Sequence, residues 1–446
     1  MTKKNKNLLL AFCFLFVAGA NASQAVLSYE AFQRLSPSSN QEGANNWFTL
    51  NFVTEKIKHR FDTFLDLSVR FYHGKEKYIA SLPEGYFSLV SDNEKLLLGR
   101  HILDWNSSEK FWSLGKLNAL QNFTLLGQQQ EGVSGLHYDY RADHFKWSLI
   151  ASYFFVPQMN PTLIMKDGKV TSNTDWAKLP PTRTVINNQI VPIYYDIQKP
   201  EVSEVVLQKT LGTNLGYLWN SGSLSAFGIY KPENTLRMNA EAFYDQKLDQ
   251  VIVKAKPFVN HHLVYGSQLS QTLARNATVF AGFEVSDPTL GIGEDLDFLK
   301  DKSASKKNTN FESKYFTIKP KYEKESYAYL STVIDLPYFD VSFNAIELLS
   351  NNQKNTDDLY TDTVKWHRAL GLGIDYDITE SFTVNLAAQY DVLMADSLFK
   401  NEYSYHFYKE MRLAMGLEII NSPKVESYWS AYRSNDTVYS TLSYTF

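Results

Sequence analysis

The chain has 446 residues, 44% hydrophobic, 15% aromatic and 21% charged, with a formal net charge of −4. Its 28 tyrosines and 29 phenylalanines exclude a disordered chain, and without a basic block nucleic acid is excluded as a partner. The single long apolar run lies at the N-terminus, which excludes a bundle of membrane-spanning helices.

That run, Leu8 to Ala18, follows Lys3, Lys4 and Lys6 and precedes the small residues Ala20-Asn21-Ala22. The pattern predicts a signal peptide over 1–22, cleaved after Ala22. Cleavage removes three positive charges and no acid, taking the net charge from −4 to −7. The only cysteine, Cys13, goes with it, so no disulfide, thiolate metal site or cysteine nucleophile remains. A large exported chain without disulfides fits bacterial export.

Beyond the run, apolar residues recur at every second position, the period of a strand. Strands are predicted at 25–33, 45–54, 60–73, 85–91, 94–101, 132–140, 144–155, 204–218, 222–230, 236–245, 251–258, 262–270, 276–285, 326–335, 338–348, 366–376, 381–392, 405–420, 425–433 and 437–446. Segment 61–72 sets the pattern: Phe61, Leu65, Leu67 and Phe71 alternate with Asp62, Asp66, Ser68 and Arg70. Segments of about ten residues with one apolar and one polar face, aromatic near their ends, match transmembrane β-strands. The expected fold is all-β, an antiparallel up-and-down transmembrane barrel of about 18–20 strands over 23–446. A soluble sandwich is the alternative; the number and length of the segments argue against it.

Long connections are expected near 102–131, 156–203, 286–325, 349–365 and 393–404, all on one side of the strand count. The other side has short turns such as Arg141-Ala142-Asp143, Asn220-Ser221 and Leu336-Pro337. In a bacterial barrel the long loops face outward. Segment 156–203 holds six of the 14 prolines and is expected to enter the lumen or cap the outer mouth. Glu294, Asp295 and Asp297 on a glycine-rich loop are a calcium candidate by oxygen chemistry, but their spacing is not that of an EF-hand, and a solvated acidic loop is favoured. Lys302, Lys306 and Lys307 behind them suit lipopolysaccharide phosphates or solvent.

The chain stops inside a strand in which Val438, Leu442, Tyr444 and Phe446 alternate with Thr437, Thr441, Ser443 and Thr445. This ending resembles the assembly signal of Gram-negative outer-membrane barrels. The resemblance implies an outer-membrane location and insertion by the barrel-assembly machinery. Gly99-Arg100 with Asp104-Trp105 and Phe111-Trp112-Ser113-Leu114-Gly115 is similar to porins of the sugar and exported-polysaccharide type. That resemblance implies that Trp105 and Trp112 stack on sugar faces.

No G-x-S-x-G, H-E-x-x-H, phosphate-binding loop or dinucleotide fingerprint occurs. No catalytic site and no cofactor is therefore expected. A barrel this wide has a lumen that side chains do not fill. The primary reading is a channel for passive diffusion of small polar solutes, sugars or cations among them. Its lining candidates are Asp62, Asp66, Arg70, His137, Asp139, Arg141, Glu241, Glu284, Asp340, Asn344, Asp375, Asp377, Arg412 and Glu418. Acids outnumber bases, which points to a mild cation preference. A barrel enzyme (lipid hydrolase or protease) would instead show a Ser/His or Asp/His cluster near one rim, and an adhesion or structural barrel would be plugged by 156–203.

Overall fold

A computed structural model describes residues 23–35, 44–58, 60–72, 77–121, 129–158, 163–172, 179–186, 188–245, 247–291, 313–318, 323–350 and 364–446. The expected signal peptide, the acidic residues Glu294, Asp295 and Asp297, and the lysines behind them lie outside the described residues.

Eighteen strands form one wall: β1 Ser23–Arg34, β2 Ala44–Lys58, β3 Phe61–Tyr72, β4 Lys77–Val90, β5 Glu94–His101, β6 Val133–Arg141, β7 Phe145–Ser152, β8 Thr210–Trp219, β9 Gly222–Pro232, β10 His261–Ala274, β11 Ala277–Asp287, β12 Glu325–Asp335, β13 Phe339–Leu348, β14 Arg368–Thr379, β15 Phe382–Asp391, β16 Asp396–Tyr408, β17 Met411–Asn421 and β18 Thr437–Thr445. Each pairs antiparallel with the next in this series, and β18 returns to β1 in register from Val26↔Thr445 to Arg34↔Thr437. The sheet is thus a closed up-and-down antiparallel barrel. Closure gives the backbone groups of β1 and β18 partners, which an open edge in hydrocarbon would lack.

Alternation sets the two faces. Leu98, Leu211, Leu215, Phe343, Leu370 and Leu442 point outward and are exposed. Their strand neighbours of opposite parity point inward, and the register carries that parity from strand to strand: Asp66↔Glu84, Asp139↔Ser148, Asp340↔Asp375 and Glu402↔Gly416 are all inward pairs. An exposed belt of leucine and phenylalanine on a closed cylinder is matched by lipid, not water.

Strand bounds leave at most three residues between β2 and β3, β4 and β5, and likewise at each later even-to-odd step. The long connections follow β5, β7, β9, β11, β13 and β17, so all lie at the opposite rim.

Four expectations change. Segments 236–245 and 251–258 are not wall strands: Arg237–Asp245 and Gln250–Phe258 form a five-stranded sheet with 183–186, 189–197 and 313–318. That sheet buries its own core, including Val170, Ile193, Tyr195, Val251 and Val253, with no wall residue in it. Segment 156–203 supplies two of these strands and the hairpin 163–172.

The expected strand 405–420 is two, β16 and β17, split at 409–410. A two-residue turn preserves parity, so the apolar alternation runs through it unbroken. Residues 396–404, expected in a loop, belong to β16, because the connection 392–395 is tight. The Asp391 carboxylate accepts the N–H groups of Leu393 and Met394, both at 3.0 Å, an aspartate turn without glycine or proline. Finally, 425–433 holds a 3₁₀ turn, Tyr428–Tyr432, whose Trp429 is buried at the mouth of the barrel.

Candidate functional site

The connection after β5 turns into the barrel. At its root, Gly99 has φ 145°, and a Cβ there would lie 2.2 Å from the Gly85 carbonyl oxygen, so only glycine fits. Arg100 ties both ends of the segment to the wall. It donates to the carbonyls of Gly132 (2.8 Å) and Leu82 (2.9 Å) and pairs with the fully buried Glu131 at 3.0 Å. The residue read as part of a sugar-porin resemblance is a clamp.

From there the segment descends on an apolar foot. Leu103, Trp105 and Leu117 pack on Ile150, Phe227, Ile229 and Val264, all inward on β7, β9 and β10. The side chain of Asn118 bridges the two arms, accepting from the Leu103 N–H at 2.9 Å and donating to its carbonyl at 3.0 Å.

A short helix, Ser107–Trp112, lies inside the barrel. Asn106 caps it, accepting the Ser108 N–H at 3.1 Å. Asn106 and Ser108 also donate to Glu284 on β11. Gln268 on β10 accepts the Ser107 N–H at 2.7 Å. Ser113 ends the helix at φ 48°. The return arm is held by Glu109, whose carboxylate accepts the N–H groups of Gly115, Lys116 and Leu117 at 2.7–2.9 Å. Burial pushes the Glu109 carboxyl up, and those three N–H groups oppose it. Lys116 pairs with Glu325 on β12 at 2.9 Å.

Tryptophans pin the tip. Trp112, Trp366 and Trp429 meet with ring centroids 5.3 Å apart in each successive pair. They share a core with inward Tyr327, Tyr329, Ile346, Leu398 and Ile420. Trp366 Nε1 donates to the Trp112 carbonyl at 3.0 Å, Lys365 Nζ to the Ser113 carbonyl at 2.7 Å, and Gln389 to the Phe111 carbonyl at 3.2 Å. Burial lowers the Lys365 ammonium to about 7. The segment therefore lies inside the barrel against the wall from β5 to β15 and narrows the lumen on that side.

Of the residues singled out in the sequence, Asp62, Asp66, Arg70, His137, Asp139, Arg141, Glu284, Asp340, Asn344, Asp375, Asp377, Arg412 and Glu418 have inward parity. They do not form one cluster. Arg70 lies over the Trp47 ring at 5.7 Å. Arg412 is held by Glu402, 2.5 Å away, and Lys400 faces Glu418 at 3.8 Å. Glu284 is committed to the inward segment. Glu241 is misplaced by the sequence reading: its strand belongs to the five-stranded sheet. Trp105 and Trp112 are 5% and 1% exposed, their faces taken by packing, so neither offers a ring to a sugar. Glu109, Lys365, Trp366 and Trp429 belong to no motif visible in the sequence. Only their density of charged and aromatic residues in loops could have flagged them.

Three histidine contacts bear on chemistry. His101 meets Glu84 at 2.7 Å, while His137 bonds only the Val133 carbonyl, at 3.0 Å, rather than Asp139. His262 Nδ1 lies 3.0 Å from Ser286 Oγ, both buried between β10 and β11, and His262 Nε2 has no partner to orient it.

No protein-family model and no curated protein sequence matches the chain. Among solved structures, the fold is similar to mutants of the Rhodopseudomonas blastica porin. A triple mutant aligns at 9% identity and TM-score 0.39, and a double mutant at 10% and 0.40, each over 95% of this chain and 99% of that one. The architecture described above rests on the strand pairing, not on this likeness.

Proposed function

We propose that the chain is an outer-membrane channel for passive diffusion of small polar solutes. One observation carries the reading: a closed cylinder whose outer face is apolar and exposed, while its inner face is charged and narrowed by 102–121. Lipid wets the first and water the second. Inward Asp62, Asp66, Asp340, Asp375 and Asp377 support a mild cation preference. The closure of β18 on β1 supports insertion by the barrel-assembly machinery. The rim bearing the long connections is read as the outer, lipopolysaccharide side. With both tryptophans packed away, sugar stacking at Trp105 and Trp112 is not part of the reading.

Purified protein in planar bilayers tests it. Stepwise currents are expected, with selectivity shifting toward anions when Asp62, Asp66, Asp340 and Asp375 become Asn. Silent bilayers under all conditions would refute the channel. An enzyme reading has the His262–Ser286 contact in its favour. No acid orients that histidine, and both residues are buried. Ester turnover lost in Ser286→Ala would establish that reading instead.

A further inference from the structure

Between the tip of the inward segment and the wall lies a cavity of about 170 Å³. Its floor is nearly bare backbone: Gly371, Gly373 and Ala387 take the inward positions of β14 and β15. A Cβ at Gly371 would meet Asn344 and Trp112 at 3.4 Å each, so a larger residue would begin to fill the space. Lys110 and Lys365 both border it, and among the described residues no carboxylate does. Lys110 is exposed to the lumen, while Lys365 is fixed by the Ser113 carbonyl and lies over the Trp429 ring at 5.3 Å.

The next inward residues toward the short-turn rim reverse the sign. Ser342 and Gly373 are followed by Asp340 and Asp375, register partners on adjacent strands. Two residues of strand rise put this acidic pair roughly 7 Å beyond the cavity floor. A solute in the cavity thus meets ammonium groups on one side and carboxylates on the other.

We infer that the cavity is a subsite for a small aminocarboxylate zwitterion, an amino acid or dipeptide. The carboxylate would face Lys110 and Lys365, and the ammonium Asp340 and Asp375. A simple anion would meet the aspartates, a simple cation the lysines, and each suffers a like-charge contact that the zwitterion avoids. A neutral sugar engages neither sign. The inference rests on the channel reading, deepening it to a solute class.

The test uses the full mature chain in planar bilayers, with alanylalanine, N-acetylalanine and alanine amide as probes. Binding is followed in parallel by tryptophan fluorescence in detergent. Alanylalanine is expected to interrupt the current at millimolar concentration, and the two singly charged probes far less. Lys110→Gln and Asp375→Asn should each weaken the block by about tenfold. Equal block by all three probes, or block indifferent to both substitutions, overturns the inference while the conducting protein upholds the channel. If nothing conducts, the channel reading fails, and fluorescence decides the subsite. Saturable change with alanylalanine alone supports it, and no saturable change overturns it.

Discussion

The barrel wall and the five-stranded sheet use the same residues in the same alternation, yet they solve opposite problems. Outward Leu215 and Leu224 on the wall are exposed because lipid is to cover them. In the sheet, Ile193 and Val253 are buried because protein covers them, and Ile190 on the other face is exposed to water. Period two therefore says that one face is apolar. It does not say which medium meets that face.

This contrast can be broken at four points. Ile193→Ala should cost the sheet about 2–5 kcal/mol, as for other large-to-small core changes. It should leave the heat-modifiable gel shift of the barrel intact; loss of that shift would mean that wall and sheet are one cooperative unit. Leu215→Arg should cost about 2–4 kcal/mol in liposome refolding if the position lies near the bilayer midplane. A neutral result there would put water, not lipid, against β8. Between these two regions sits the inward segment, where a buried lysine gives a pH signature. Lys365 titrates near 7 when folded and near 10.5 when unfolded, so between those values the unfolded chain binds the extra proton. Stability relative to Lys365→Met should then rise as pH climbs from 7 to about 10. A slope shared by the variant would assign it to other groups. Ile190→Arg, as exposed as any wall leucine, should change stability by less than about 0.5 kcal/mol. A larger loss would show that the outer face of the sheet is covered.

Most of the wall was legible because each strand carries its own two-faced pattern. The errors fell where a local pattern has two meanings. The alternation at 236–245 and 251–258 is real, but its apolar face joins a core of its own with Val170, Ile193 and Tyr195. The turn at 409–410 was invisible because it preserves parity, and the turn at 392–395 because it carries neither glycine nor proline. The candidate site was legible only as a list of inward charges. Arg100 and Trp112 stood out in the sequence, but for sugar binding rather than as a clamp and a tip.

By itself the sequence determined that strands dominate, that each has one face for water and one for an apolar medium, and that long connections gather at one rim. These are local properties, written in residue alternation and turn chemistry. Only the tertiary structure decided that eighteen strands close, that 102–121 enters the lumen, and that Lys110 and Lys365 border one space with Asp340 and Asp375 beyond its floor. Those outcomes depend on contacts between residues hundreds of positions apart, such as Trp366 with Trp112, and no local periodicity encodes such a pairing.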